Sequence, residues 1–373
     1  MNDLMPAGSV AADLMLADLE RLVRCESPSS DLDTLHRCAD LLTDLGTTRT
    51  GTTPVRTEAG GRPVLRFGPP DPAVLLLGHL DTVHPVGTLT KAPYRVVDGR
   101  VYGPGVFDMK AGLVQALHAM AMAEYGDRVG LLVTADEELG SPDSRPVIEA
   151  AARKTGAVLV LEASADGKLK TARKGVSNYR LVFTGKASHA GLEPEKGVNA
   201  CVALAHAVLA MTELADPAAG TSVTPTVAAA GVTSNTVPDS ASLLVDVRAV
   251  TIAEQERVDQ AVRALTVPVE GIVFETEGGI NRPPLEPELS DRLFGLAQEV
   301  AAELGLPALA GVQVGGGSDG NFTAGLGVDT LDGLGAVGDG AHTVHEWADV
   351  SALVERTRLL AGLIDRIAAG GDA

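Results

Sequence analysis

The sequence predicts an α/β protein with a mostly parallel central sheet flanked by helices and an inserted α+β domain. Three observations carry this. Short, wholly apolar segments alternate with amphipathic ones over the first ~170 residues. Acidic and imidazole side chains gather just past those apolar segments, where open α/β sheets place their ligands. After Lys174 the order changes to strand, helix, strand, strand, helix, strand, which suits a small sandwich of the split βαβ kind. A length of 373 residues exceeds one ordinary core, so two domains are expected, with boundaries 1–173 plus 285–373 around an insert at 174–284.

In order along the chain, a helix is expected over 10–24, with Leu14, Leu16, Leu19, Leu22 and Val23 marking one face. A second covers 31–45. Residues 63–67 and the fully apolar 73–77 read as strands, the latter ending at Gly78-His79. A polar loop carries Asp108 into a helix over 111–124. A strand over 130–134, a helix over 145–154 and a strand over 157–161 follow, the last ending on Glu162.

In the insert, strands are expected over 179–183, 224–230, 242–248 and 272–276, with helices over 199–214 and 252–264. The Pro- and Glu-rich 281–288 reads as the return linker. Helices over 289–304 and 351–369 flank a loop-rich stretch.

Composition narrows the partners. The net charge of −19 repels nucleic-acid backbones and anionic membranes. No run of about 18 apolar residues predicts a membrane span, and the N-terminus lacks the basic start of a signal peptide, so a cytoplasmic location is the default. Cys25, Cys38 and Cys201 form no CxxC pair and are expected as reduced structural thiols.

Potential metal ligands recur at successive strand ends: His79 and Asp81, Asp108, Glu137 and Glu138, Glu162, then His342. Zinc accepts imidazole nitrogen and carboxylate oxygen, and a metal pair needs a bridging ligand with terminal ones. One bridging carboxylate and two ligands for each metal account for five of these residues. Singly, each has a plain alternative. His79 suits a hydrogen-bonded loop, Asp108 a helix cap, and the Glu137-Glu138 pair a solvated turn. Glu162 resists such a reading, because an unpaired carboxylate beside five apolar residues is costly. Asp81, two residues after His79, is placed to accept the imidazole's second N–H.

Taken together, Gly78-His-Leu-Asp-Thr-Val-His84, Tyr102-Gly-Pro-Gly-Val-Phe-Asp-Met-Lys-Ala-Gly112, Thr134-Ala-Asp-Glu-Glu-Leu-Gly140, Leu161-Glu-Ala163, Gly185-Lys-Ala-Ser-His-Ala-Gly191 and Ala341-His-Thr-Val-His-Glu346 resemble the M20 metallopeptidases over nearly the whole chain. That group holds glutamate carboxypeptidase, acetylornithine deacetylase, succinyl-diaminopimelate desuccinylase and aminoacylase. The resemblance implies a zinc-peptidase catalytic domain, a ferredoxin-like lid and dimerisation insert, and two divalent metal ions, zinc first and cobalt or manganese next. It makes Asp108 the bridge, His79 and Glu162 the ligands of one metal, and Glu138 and His342 those of the other. His345 is the alternative to His342. Glu137 becomes the general base and Asp81 the residue orienting His79. His189 of a second subunit becomes the oxyanion donor, which implies a homodimer paired through the inserts.

Asn235, Arg248, Arg282, Lys168 and the glycine loop at Gly317 and Ser318 resemble the carboxylate-binding positions of the glutamate carboxypeptidase branch. Each arginine has a surface ion pair as its alternative. The implied activity is hydrolysis of an amide beside a free carboxylate, by a carboxypeptidase acting on a peptide or small-molecule substrate, with glutamate as one candidate. The alternatives are an N-acyl amino-acid deacylase and, in another class, a binding protein without turnover.

Overall fold

The computed structural model describes residues 7–370. The chain divides into two compact units. One comprises the described residues up to Ala172, Pro287–Val314 and the described residues from Ser318 onward; the other comprises Arg173–Glu286 with Gly315–Gly317. The glycine segment therefore groups with the second unit rather than with 285–373, because the Arg173 guanidinium donates to the carbonyls of Gly316 and Gly317 at 3.0 and 3.2 Å.

The first unit is built on a six-stranded sheet of β1 (Val55–Ala59), β2 (Arg62–Phe67), β3 (Val74–His79), β4 (Val129–Thr134), β5 (Val158–Val160) and Thr330–Leu331, in the order β1-β2-β4-β3-β5-Thr330–Leu331. β3 runs parallel to β4 and β5, and Thr330–Leu331 runs parallel to β5. β2 is antiparallel to β4, and β1 to β2, so an antiparallel hairpin edges a mostly parallel sheet. Every residue of β3, β4 and β5 is buried, as strands covered on both faces require. β1 has no apolar alternation and four exposed residues, so periodicity misses it. Its signal is Gly60-Gly61, both in the left-handed region as a tight hairpin turn demands.

Helices α1 (Ala7–Arg24), α2 (Leu32–Thr50), α3 (Ala111–Met122) and α4 (Arg145–Ala152), with Asp291–Glu303 and Val350–Gly370, also belong to this unit. On α1 the buried stripe is Met15, Leu19, Leu22 and Val23, while Leu14 is 44% exposed; the helical repeat turns it away from the face on which the sequence places it. α2 starts on the Asp31 cap and runs five residues beyond the expected end. It stops where Gly51, in the left-handed conformation, donates to the Thr47 carbonyl. α3 packs on Val350–Gly370. Gly112 lets it approach the chain at β5, since a Cβ there would lie 2.2 Å from the Leu161 carbonyl oxygen. The expected loop-rich stretch also holds short strands, Gly311–Val314 and Trp347–Asp349 among them, too brief to show a period. Among the described residues no helix is long and apolar enough to cross a membrane.

The second unit contains β6 (Gly175–Thr184), α5 (Ala200–Glu213), β7 (Ser222–Ala230), β8 (Ser240–Ala249), α6 (Ile252–Arg263) and β9 (Val273–Arg282). Its sheet is antiparallel, in the order β7-β8-β6-β9. It has its own core, including Tyr179, Leu181, Phe183, Leu204, Met211, Leu243 and Val258. Asn281 and Arg282, expected in a linker, belong to β9. Pairing with β6 carries the strand to the edge of Pro283-Pro284, where the missing N–H stops it.

One buried polar network ties three helices of the first unit. The Asp18 side chain of α1, 3% exposed, accepts Arg49 of α2 through Nε and Nη2 at 2.6 and 2.9 Å, and His118 Nε2 of α3 at 2.8 Å. Burial alone would raise the Asp18 pKa, but the bonds from Arg49 and His118 outweigh it and hold the group below the usual carboxylate range. A depressed folded-state pKa stabilises the fold above the unfolded value of about 3.9, and that contribution is lost as pH falls through the folded value. Asp18→Ala should therefore cost about 2–4 kcal/mol at pH 7. Thermal melts of both proteins should show the gap narrowing at pH 3; an equal gap at both pH values would refute this assignment.

Candidate metal centre

Because β3, β4 and β5 are parallel, their C-terminal ends share one edge of the sheet. His79 is the last residue of β3, Glu137 and Glu138 open the turn after β4, and Glu162 lies two residues past β5. Asp108 comes from the turn Val106–Lys110, whose backbone leaves helical geometry at Asp108 and Met109. It does not cap α3, which has no side-chain cap. His342 is presented in the left-handed region, at φ 64°, a conformation that for a non-glycine residue costs about 1–3 kcal/mol and clusters at functional sites.

These side chains converge. His79 Nε2 lies 3.4 Å from Asp108 Oδ1 and 3.6 Å from Glu162 Oε1. His342 Nε2 lies 3.4 Å from Asp108 Oδ2 and 3.2 Å from Glu138 Oε2. The two oxygens of Asp108 thus face different imidazoles. Ligand atoms of His79, Asp108 and Glu138 lie within 4.8 Å of one another, as do those of His79, Glu137 and Glu162.

The donor set fits a metal pair. His79 Nε2 and Asp108 Oδ1 are buried and make no hydrogen bond, the state that a buried polar group avoids unless something else satisfies it. Ligand atoms about 2.1 Å from a tetrahedral zinc are separated by about 3.4 Å, longer than a good hydrogen bond and close to the spacings present here.

The charges point the same way. Burial opposes an imidazolium at His79, yet Asp108, Asp81 and Glu162 outweigh it and push its pKa well above the ordinary value. The Asp108 carboxylate raises His342 to about 9. Burial alone would raise Asp108, but His342 and His79 hold it far below the usual range. Burial lifts Glu138 to about 7. Without a metal, protons on the imidazoles supply the positive charge that the carboxylates require, and a divalent cation is the natural replacement.

Asp81 acts more broadly than its spacing suggests. Its backbone carbonyl is 3.0 Å from His79 Nδ1, closer than its carboxylate at 3.3 Å. The fully buried carboxylate also accepts Ser29 Oγ at 2.7 Å and the backbone N–H groups of Glu137 and Glu138 at 3.3 and 3.2 Å. It therefore sets both the histidine tautomer and the position of the Glu-Glu turn.

His345 is exposed, and it is His342 that faces Asp108 and Glu138. Lys168 is exposed in the turn joining Ala165 to Lys168; Lys170, two residues on, is near enough for its charge to depress Asp108. Lys168 came from the family resemblance, and no motif in the sequence marks Lys170. Ser318 is fully buried and donates to Asp332 at 2.6 Å, and the Gly317 carbonyl is bound by Arg173.

Within the second unit, Arg248 is held by the carboxylate of Asp246 at 2.9 Å through both Nε and Nη2, the ion pair that was its alternative reading. Arg282 is buried and Asn235 exposed. His189 is exposed, and its Nδ1 accepts the backbone N–H groups of Gly191 and Leu192, each at 3.1 Å. A neutral ring so held carries its proton on Nε2.

Comparison with known proteins gives the same family. The model of peptidase family M20/M25/M40 matches residues 75–366. Carboxypeptidase G2 of Pseudomonas sp. (strain RS-16) is 32% identical over 99% of this chain and 93% of its own length. Succinyl-diaminopimelate desuccinylase 2 of Shewanella loihica is 30% identical over 79% and 85%. The M20 family metallo-carboxypeptidase Sso-CP2 of Sulfolobus solfataricus shares the fold, with a TM-score of 0.71 at 16% identity over 95% of this chain and 99% of that one.

His342→Ala should weaken binding of one equivalent of added Zn²⁺ by at least about a hundredfold, while His345→Ala leaves both equivalents in place. Calorimetric titration of the two variants checks this, and the reverse result would move the ligand to His345.

Proposed function

Because this chain belongs to peptidase family M20/M25/M40 and is thereby a metallohydrolase, we propose that it is a two-metal carboxypeptidase that cleaves the amide beside a free C-terminal carboxylate, with glutamate the first candidate residue. The observation that carries the reading is Asp108, each of whose oxygens faces a different imidazole. His79 and Glu162 would hold one ion, Glu138 and His342 the other, and Asp108 both. The imidazole and carboxylate donors suit zinc first, then cobalt or manganese.

Bound divalent ions would acidify a water and polarise the scissile carbonyl. Glu137 removes the proton as the water oxygen bonds to the carbonyl carbon, then returns it to the leaving nitrogen as the C–N bond breaks. Its backbone is held by Asp81, so the base is fixed relative to His79. His189, with its proton on Nε2, is a ready donor to the oxyanion, and we assign it to the active site of a partner subunit. The solvent face of α5, with Val202 and Leu209 46% and 66% exposed, and the edge strand β7 support pairing of two copies through the second unit, which then serves as lid and dimerisation domain. Guanidinium groups of Arg248 and Arg282, Asn235 and the ammonium of Lys170 are assigned to the substrate carboxylates. Arg248 must exchange Asp246 for substrate.

The 32% identity to a carboxypeptidase over nearly the full chain favours this reading, whereas the 30% relationship to a desuccinylase supports N-acyl amino-acid deacylation as the second. A side-by-side assay of N-acyl-glutamate and N-acetylornithine with zinc-loaded enzyme should favour the former, and faster cleavage of the latter would establish the second reading. In the same assay Glu137→Ala should lose about 10²–10⁴-fold in kcat with metal content unchanged. Light scattering should give a dimer; a fully active monomer would remove the partner's His189 from the mechanism.

A further inference from the structure

His84 and Glu346 close two of the sequence motifs without a role in the chemistry above. Glu346 is 1% exposed and His84 7%. A carboxylate so enclosed is costly unless its oxygens are fully bonded. Glu346 Oε1 accepts the backbone N–H groups of Phe107 and Asp108, each at 2.7 Å, while Oε2 accepts Gly105 N–H at 2.9 Å and His84 Nε2 at 2.8 Å.

These donors belong to the segments that present the metal-facing side chains. The turn leaves helical geometry at Asp108 and Met109, and Glu346 supplies the acceptor that the N–H groups of Phe107 and Asp108 find. His84 lies five residues beyond His79, and Glu346 lies four beyond His342. The chain at Glu346 is itself anchored. Its carbonyl accepts Gly103 N–H at 3.4 Å, and the adjoining strand Trp347–Asp349 pairs with Arg100–Tyr102. Gly340 packs against it so closely that a Cβ there would lie 3.1 Å from the Glu346 backbone.

We propose that Glu346, clamped by His84, is a positioning residue that sets the separation of the Asp108 and His342 side chains and so the geometry of the metal pair. The inference rests on the two-metal reading above. It assigns Glu346 no contact with metal or substrate; it acts through the backbone of residues 105–108 and through the loop leading from His342.

Glu346→Gln tests it, because an amide nitrogen would face N–H donors at one of the two oxygen positions. Titrated with Co²⁺ alone, the folded variant should bind at least one equivalent about 10–100-fold more weakly than wild type and show a shifted d–d absorption spectrum. Its kcat should fall more than its KM rises, and Glu346→Asp, which keeps the charge, should recover part of each effect. Wild-type Co²⁺ affinity, spectrum and kcat in Glu346→Gln, with only the melting temperature lowered, would overturn the proposal. If Glu346→Gln does not fold, His84→Ala decides by the same readouts: a smaller spectral shift in the same direction supports the role, and a wild-type spectrum overturns it. Failure of the wild-type protein itself to bind about two equivalents of Co²⁺ would instead sink the two-metal reading.

Discussion

Asp108 carries a carboxylate whose oxygens lie 3.4 Å from the imidazoles of His79 and His342, and accommodating that buried charge dictates what surrounds it. An anion withdrawn from water needs positive charge or hydrogen-bond donors close by. Here Oδ1 makes no hydrogen bond, so the imidazoles, or a cation held between them and the acids, must meet the requirement. The elevated pKa values of His79 and His342 and the depressed one of Asp108 express that single demand.

The fold meets it by bringing chain ends to one edge. Three adjacent parallel strands, buried on both faces, release His79, the Glu137-Glu138 turn and Glu162 on the same side of the sheet. Two buried carboxylates then hold the releasing loops. Asp81 binds the Glu-Glu turn and fixes His79, and Glu346 binds the turn that carries Asp108. Both are bonded largely to backbone N–H groups, a rigid arrangement because such donors have no rotamers to lose. The polar cluster is thus supported by acids that do not themselves face the candidate metals.

Much of this was legible in the sequence, for identifiable reasons. The strands over 73–77 and 130–134 are uninterrupted apolar runs, and an acid or histidine at the end of such a run has few structural uses. The resemblance carried by the motifs singled out His79, Asp108, Glu138, Glu162 and His342, which the fold brings together. Where the pattern carried no period, reading failed. β1 is an exposed edge strand, and α2 outran its apolar stripe until Gly51 stopped it. Lys168 was named by resemblance, and no sequence motif marks Lys170. Ser318, named by resemblance to a substrate-contacting loop, is buried and bonded to Asp332. Glu346 only closed a motif, since three of its four donors are backbone N–H groups about 240 residues away, invisible to any side-chain pattern.

The proposed centre depends on Asp108 being shared by two metals. Anomalous diffraction at the zinc edge from crystals of the zinc-loaded protein measures this directly. Two peaks about 3.5–4 Å apart on either side of the Asp108 carboxylate are predicted, one beside His79 and Glu162 and the other beside Glu138 and His342. A single peak, or a pair not spanned by Asp108, would contradict it.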